Sequence, residues 1–351
     1  MAPSLKKNDI GLCGLDFIEF CSPNPHKLEE LFLAFGFSKI KHHKEMQIDY
    51  FKQHDIHFFL NQEKGSHADV FADTHGPCIS SMGWRFKDPD KAYKVALERG
   101  ATPAHSDYYN SSGADLPAIM GIGGSIIYFV SEETHLREYQ DLGFTHHPKP
   151  IEVKDKGFLV VDHLTNNVYK GTMGQWADFY KKVFGFEEVR YFDIRGVKTG
   201  LTSYALRSPC GSFCIPINEA EEKKSQINEY LEEYKGPGVQ HLAFLTEDIL
   251  ASLDGMQDSR IQTLDIDDDY YAEIFNKFPQ VTEDHSRIRN HSVLIDGDGE
   301  GYLLQIFTKN LIGPIFIEII QRKNHYSFGE GNFGALFRSI ERDQMKRGVL
   351  T

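Results

Sequence analysis

Phe35-Gly36-Phe37-Ser38-Lys39-Ile40 returns as Phe184-Gly185-Phe186-Glu187-Glu188-Val189, an offset of 149 between residues 35 and 184. An amphipathic helix leads into each copy. Leu28, Leu31, Phe32 and Phe35 share one helical face in the first, and Trp176, Phe179, Tyr180, Val183 and Phe184 share one in the second. The glycine falls where a helix C-terminus needs left-handed φ. Upstream, the strand-like Leu15-Asp16-Phe17-Ile18-Glu19-Phe20 is matched by Val161-Asp162-His163-Leu164-Thr165. Downstream, Ile56–Glu63 is echoed by Phe213–Glu219, and Met82-Gly83-Trp84-Arg85-Phe86 by Gln240-His241-Leu242-Ala243-Phe244. The offsets grow slowly, from 146 (16 to 162) through 157 (61 to 218) to 158 (83 to 241). One duplicated unit with small loop insertions accounts for them; chance similarity of aromatic strands does not.

Within a copy the order is strand, helix, several strands, and then the same again. After Gly238–Thr246 the pattern predicts a helix over Glu247–Asp258 and strands at Asn290–Asp296, Gly301–Thr308 and Pro314–Gln321. Repeated βαβββ units are those of the vicinal oxygen chelate fold. The expectation is therefore an α+β chain of two tandem open β-barrel domains, 1–150 and 151–351, closed by a C-terminal gating helix. The boundary is expected in the polar stretch Thr145–Lys156, where two prolines flank Lys149.

The 351 residues are 40% apolar and 25% charged, ample for two cores, and carry a net charge of -13. That acidity argues against a nucleic-acid partner. The N-terminal residues lack the apolar core of a signal peptide, and the longest apolar stretch, Ala118–Val130, is too short to span a bilayer. The five cysteines lack zinc or C-x-x-C spacing, and reduced thiols in the cytoplasm are the simplest reading.

The second copy holds polar residues that the first lacks. His163 stands where the first has Phe17, and His241 stands where it has Gly83. Glu318 interrupts the apolar strand Pro314–Gln321, where a carboxylate is costly unless its charge is compensated. Strand alternation aligns Leu159, Val161 and His163, then Val239, His241 and Ala243, then Phe316, Glu318 and Ile320. Any one of these histidines alone would be read as core packing. Three such residues on equivalent inward faces, all missing from the sister repeat, point to a metal site. Two imidazoles and one carboxylate are the facial triad of non-haem Fe(II) oxygenases, leaving positions for a bidentate α-keto acid and O₂. The other histidines (His42, His43, His105, His146, His147, His285, His291 and the rest) are expected to be solvated in polar loops.

Longer motifs now carry a resemblance. Asp162–Tyr169, Tyr191-Phe192-Asp193-Ile194, Gly236–His241, Leu304-Gln305-Ile306-Phe307, Phe316–Arg322 and Gly329-Glu330-Gly331-Asn332-Phe333 resemble the 4-hydroxyphenylpyruvate dioxygenase family. The similarity is dense from about Asp155 onward and looser over residues 10–130. It implies one Fe(II) per chain held by His163, His241 and Glu318, with O₂ as co-substrate. It also implies oxidative decarboxylation of 4-hydroxyphenylpyruvate, ring hydroxylation and side-chain migration to homogentisate, as in tyrosine catabolism. Catalytic positions carried over are Gln240, Gln305 and Asn332. Substrate contacts carried over are Ser203, Asn218, Gln226, Phe307, Phe316, Phe328 and Phe333. A homo-oligomer, dimer or tetramer, is usual for the family. Alternation supports Gln305 and Phe307 on the inner face but sends Gln240 away from His241 unless the strand is twisted or bulged there.

Gly329-Glu330-Gly331-Asn332-Phe333-Gly334 satisfies G-x-G-x-x-G, but only 17 residues follow and they read as one helix with a Phe333, Leu336, Phe337 and Ile340 stripe. A dinucleotide site would need a further strand with an acidic residue. Two alternatives remain at this point: 4-hydroxymandelate synthase, which uses the same substrate and triad, and a non-catalytic small-molecule binder of this fold.

Overall fold

The computed structural model describes residues 8–110, 113–195, 200–222, 225–257, 259–346 and 348. Residues 1–7, on which the signal-peptide reading rests, lie outside them. Among the described residues, sixteen strands form two eight-stranded mixed sheets. The first holds β1 (Leu12–Cys21), β2 (Ser38–His43), β3 (Ile48–Gln53), β4 (Ile56–Asn61), β5 (Cys78–Phe86), β6 (Ala118–Met120), β7 (Ile126–Ser131) and β8 (Phe144–Ile151), in the order β6-β7-β5-β1-β4-β3-β2-β8. The second holds β9 (Phe158–Val168), β10 (Glu187–Arg195), β11 (Gly200–Arg207), β12 (Cys214–Ala220), β13 (Gly238–Thr246), β14 (Leu294–Gly297), β15 (Tyr302–Phe307) and β16 (Phe316–Lys323), in the order β10-β11-β12-β9-β13-β16-β15-β14.

The duplication is visible in the pairing. β1 runs parallel to β4 and antiparallel to β5, as β9 does to β12 and β13. β5 runs parallel to β7 as β13 does to β16. The helices Pro25–Ala34 and Met173–Phe184 lead to Gly36 and Gly185, at φ +86° and +81°, as the repeated Phe-Gly-Phe requires.

The stretch 145–156, where the boundary is expected, begins as strand: β8 pairs with β2 at the edge of its sheet, where its prolines remove no inner ladder bond. Three local expectations are corrected. The helix expected over Glu247–Asp258 is shorter, Ile249–Asp254, with the Asp248 side chain accepting from the Ala251 amide. Two further helices, Asp268–Lys277 and His285–Asn290, occupy the long connection to β14. Several histidines are also not loop residues. His43 is buried on β2 with Nε2 2.7 Å from the Leu142 carbonyl, His42 also lies on β2, and His146 and His147 lie on β8. His285 opens a helix and stacks on Phe275 at 3.9 Å.

One apolar cluster runs through both halves. Trp84 of β5 packs on Phe184, Phe186 and Phe213 at 4.6, 5.7 and 5.4 Å, while Phe35, Phe37 and Phe58 meet Phe244 at 6.0, 5.8 and 6.0 Å. Within the first sheet, Phe17 stacks on Phe59 at 4.3 Å in a second cluster with Tyr50, Tyr108, Tyr128 and Val130.

Candidate metal centre and cavity

β9, β13 and β16 lie side by side, and their register sets the site. His163 and Glu318 both pair with Ala243, one from each neighbouring strand, and His241 sits two residues along β13. The methyl of Ala243 leaves the space between them open. Glu318 Oε2 is 3.1 Å from His163 Nε2 and 3.4 Å from His241 Nε2, and the two Nε2 atoms are 3.4 Å apart. Ligand atoms about 2.1 Å from one ion at right angles would lie about 3.0 Å apart. The three atoms are thus spaced for a single cation, slightly open. All three residues are buried.

The surroundings orient both rings. Asp162 Oδ2 accepts from His163 Nδ1 at 2.7 Å, and a carboxylate can only accept, so Nε2 is the nitrogen left to face a cation at the centre. Arg322 clamps Asp162 with Nε and Nη2, each at 2.7 Å. Burial would raise the Asp162 carboxyl, but Arg322 outweighs it and holds the group well below the usual carboxylate range. His241 Nδ1 lies 3.1 Å from Gln240 Oε1 and its ring stacks on Phe316 at 4.7 Å. Gln305 donates to Glu318 Oε1 at 3.3 Å.

Charge in the metal-free site is balanced by a proton. Burial pushes His163 down, but Glu318 and Asp162 outweigh it and carry it up to about 9. Burial pushes Glu318 up, and His163 outweighs that to bring it down to about 2. Burial dominates at His241, which is lowered and stays neutral. A buried carboxylate flanked by two imidazoles thus demands a positive charge between them, and a divalent cation satisfies that demand better than one shared proton. The donor set fits such an ion.

Of the residues expected at the site, Ser203, Asn218, Gln226, Gln240, Phe307, Phe316, Phe328 and Phe333 line one cavity with His163, His241 and Glu318. Gln305 and Asn332 do not reach its wall. They sit behind Glu318, where Asn332 Nδ2 donates to Gln305 Oε1 at 3.1 Å and Tyr270 donates to Asn332 Oδ1 at 2.8 Å. Gln240 reaches the cavity because β13 bulges there: the pairing with β9 slips between Val239 and His241. The extra residue breaks alternation, so Gln240 and His241 face the same side. Phe192, 5.4 Å from Phe333, also lines the cavity and was given no role from the sequence; alternation with Ile194, another lining residue, was the available signal. Leu336, Phe337 and Ile340 of the helix Phe333–Lys346 complete the apolar wall.

The equivalent point in the first half is filled. Phe17 pairs with His57 of β4 as His163 pairs with Cys214 of β12, and Val130 lies two residues beyond the partner of Gly83 as Glu318 lies two beyond the partner of His241, so Phe17, Gly83 and Val130 stand where His163, His241 and Glu318 stand. A Cβ on Gly83 would meet the Phe17 ring at 2.5 Å and Val130 at 3.0 Å, leaving no room for a histidine.

Residues 6–145 match the family described as "Hydroxyphenylpyruvate dioxygenase, HPPD, N-terminal", and residues 160–289 match the "Glyoxalase/Bleomycin resistance protein/Dioxygenase superfamily". A 4-hydroxyphenylpyruvate dioxygenase of Legionella pneumophila subsp. pneumophila is 44% identical over 346 residues, 98% of each chain. The chain belongs to the 4-hydroxyphenylpyruvate dioxygenase family. Protein MelA of Shewanella colwelliana is 58% identical over 346 residues, 98% of this chain and 99% of that protein. Among solved structures, a triple mutant of 4-hydroxymandelate synthase from Streptomyces coelicolor superposes with TM-score 0.83 at 21% identity, covering 95% of this chain and 99% of that one. That likeness bears on the fold, which is the two-sheet vicinal oxygen chelate architecture. Among the described residues, no helix is long and apolar enough to cross a membrane.

Proposed function

We propose that this chain is a 4-hydroxyphenylpyruvate dioxygenase that holds one Fe(II) on His163, His241 and Glu318 and converts its substrate and O₂ to homogentisate and CO₂. The observation that carries the reading is the buried two-histidine, one-glutamate centre at the floor of an aromatic cavity, in a chain 44% identical to a named dioxygenase along its whole length. Bound Fe(II) would chelate the α-keto acid and activate O₂, coupling loss of CO₂ to ring hydroxylation.

The chain's own residues do the rest. Phe192, Ser203 and Asn218 form a row across β10, β11 and β12, so a phenyl ring on Phe192 would set its hydroxyl toward the Ser203 and Asn218 side chains. Gln226, at the start of the helix Gln226–Tyr234, closes that polar end. Gln240 bridges the two ends, since its Oε1 lies 3.1 Å from His241 Nδ1 and 3.4 Å from Asn218 Nδ2. Phe307, Phe316, Phe328 and Phe333 hold the ring and keep water from it. Gln305 and Asn332 act as positioning residues behind Glu318. In this reading residues 1–150 are the non-catalytic half and 151–351 the catalytic half. The enzyme works in the cytoplasm as a homo-oligomer on a small molecule. The 4-hydroxymandelate synthase alternative rests on fold likeness alone, and the relatives named above favour ring attack.

Mass identification of the product after incubation with 4-hydroxyphenylpyruvate and Fe(II) tests the reaction. Homogentisate is expected, whereas 4-hydroxymandelate as the main product would overturn the named reaction. His163→Ala and Glu318→Ala should lose turnover while circular dichroism stays native; full activity in either ends the proposal.

A further inference from the structure

Among the described residues a second group converges as the catalytic one does, in the half with no place in the reaction: Asp55, His57 and His135. Asp55 lies in the hairpin between β3 and β4, His57 on β4, and His135 on the helix Glu132–Leu136. Asp55 Oδ1 is 3.4 Å from His57 Nε2 and 3.3 Å from His135 Nε2. Two atoms about 2.0–2.1 Å from an ion and at tetrahedral angles lie about 3.3–3.4 Å apart. The two imidazole rings are 5.0 Å apart, tilted so that both Nε2 atoms face the same carboxylate oxygen.

The far nitrogen of each ring has a polar neighbour, the arrangement that orients metal-ligating histidines. His57 Nδ1 is 2.7 Å from the hydroxyl of buried Tyr50. His135 Nδ1 is 3.1 Å from Oδ2 of Asp16, a residue only 3% exposed. Asp16 is the repeat counterpart of Asp162, which orients His163 in the catalytic half. The Asp16 and His135 atoms are close enough to attract but are not aligned, and both are buried without a hydrogen bond. The other oxygen of Asp16 is taken by Tyr139 at 2.7 Å, so Oδ2 remains aimed at the cluster.

The cluster is also pre-formed and reachable. The Asp55 amide donates to the Leu159 carbonyl of the second half at 3.0 Å, which pins the hairpin tip. The Asp55 side chain is 48% exposed, giving an ion a route in, while the Arg85 guanidinium stands 3.9 Å from its other oxygen. Asp16, Asp55 and His57 line a cavity of about 180 Å³ at the junction with Val160, Val161 and Phe213 of the second half.

We propose that Asp55, His57 and His135 form a second divalent-cation site, of the borderline kind that takes Zn(II), oriented by Asp16 and Tyr50 and separate from the catalytic centre. Mixed imidazole and carboxylate donors at these spacings suit zinc, and the half-exposed side of Asp55 leaves a fourth position to water. The competing occupant is a proton. Burial pushes His135 down, but Asp16 and Asp55 outweigh it and carry it up to about 9 in the metal-free chain.

The test is metal counting. Metal-freed protein is titrated with Co(II), desalted, and its bound cobalt measured. Two equivalents per chain are expected in the unaltered protein, one in the Asp55→Asn/His135→Gln double variant, and one in His241→Ala. The equivalent left in His241→Ala should show the intense visible absorption of tetrahedral Co(II). One equivalent in the unaltered protein, or two kept by the double variant, overturns the proposal. Should the double variant fail to fold, His241→Ala decides alone. Adding Zn(II) must then shift the ring-proton resonances of His57 and His135, and unshifted resonances overturn the site.

Discussion

Asp162 lines no part of the cavity, yet it is the group that holds the His163 ring. It receives His163 Nδ1 and two Arg322 nitrogens, all at 2.7 Å. Asp162→Asn keeps the size of the side chain but removes its charge, leaving the mostly enclosed Arg322 guanidinium with neutral acceptors alone, among them the carbonyls of His325 and Ser327. Breaking a buried ion pair from one side costs about 3–5 kcal/mol, and loss of an orienting carboxylate lowers metal affinity about 10–100-fold. Chelator competition and denaturant unfolding should show both losses; unchanged affinity would mean that Asp162 does not orient the ring. At this scale the three converging side chains were legible because a duplicated chain carries its own control. His163 replaces Phe17 and His241 replaces Gly83, in positions otherwise alike. Gln240 was named by the resemblance, but its orientation was not legible from alternation, because a bulge arises from pairing between strands and leaves no mark on the local pattern. Phe192 was hidden for a related reason: in a chain with 26 phenylalanines, one more on a strand does not stand out.

At the scale of elements, the helix Phe333–Lys346 closes the cavity rather than completing a sheet. Phe333, Leu336, Phe337 and Ile340 face inward, as its apolar stripe predicts. Ser339 Oγ donates to the Asp265 carbonyl and Gln344 to Glu229, each at 2.8 Å, and hold the helix down. Both sheets end by Lys323, so a chain cut after Phe328 should keep native circular dichroism. It should lose coupled turnover, because water then reaches the centre and Gln305 loses Asn332. An unchanged homogentisate yield per O₂ consumed would show that the helix is no gate. The helices Asp268–Lys277 and His285–Asn290 escaped the sequence because each presents a short apolar face in a mostly polar stretch. A second element carries its own pH dependence. Lys41 of β2 and Lys52 of β3 meet Glu138 at 2.8 and 2.7 Å beyond the helix Glu132–Leu136. Burial raises Glu138, but the two lysines outweigh it and bring it down to about 2. A depressed carboxyl stabilises the fold above its unfolded pKa, and that contribution is lost as pH falls toward 2. Glu138→Gln should therefore cost about 1–2 kcal/mol at neutral pH, discounted for partial exposure. The deficit should shrink between about pH 4.5 and pH 2. A deficit that stays constant in acid would exclude the ion pair as its source.

Across the whole molecule, the two halves have divided the work left by duplication. The first fills its centre with Phe17 across Gly83, so it gains packing where the second keeps a cavity and a buried carboxylate that weaken its core. The second half can tolerate that cost because the halves are not independent. Trp84, fully buried, belongs to the first sheet but packs on Tyr180, Phe184, Phe186 and Phe213 of the second at 4.6–6.0 Å. The cluster containing it runs through both halves without a break. Truncating so large a buried ring costs about 3–5 kcal/mol, and the shared core dictates how that loss is distributed. Trp84→Ala should unfold in a single transition at lower denaturant, with far-ultraviolet circular dichroism and the fluorescence of Trp176 moving together. Trp176 lies on the helix Met173–Phe184 of the second half, so its signal reports the half that was not altered. If it kept the midpoint of the unaltered chain while circular dichroism shifted, the halves would be separate folding units. The stabilising role given to the first half would then fall.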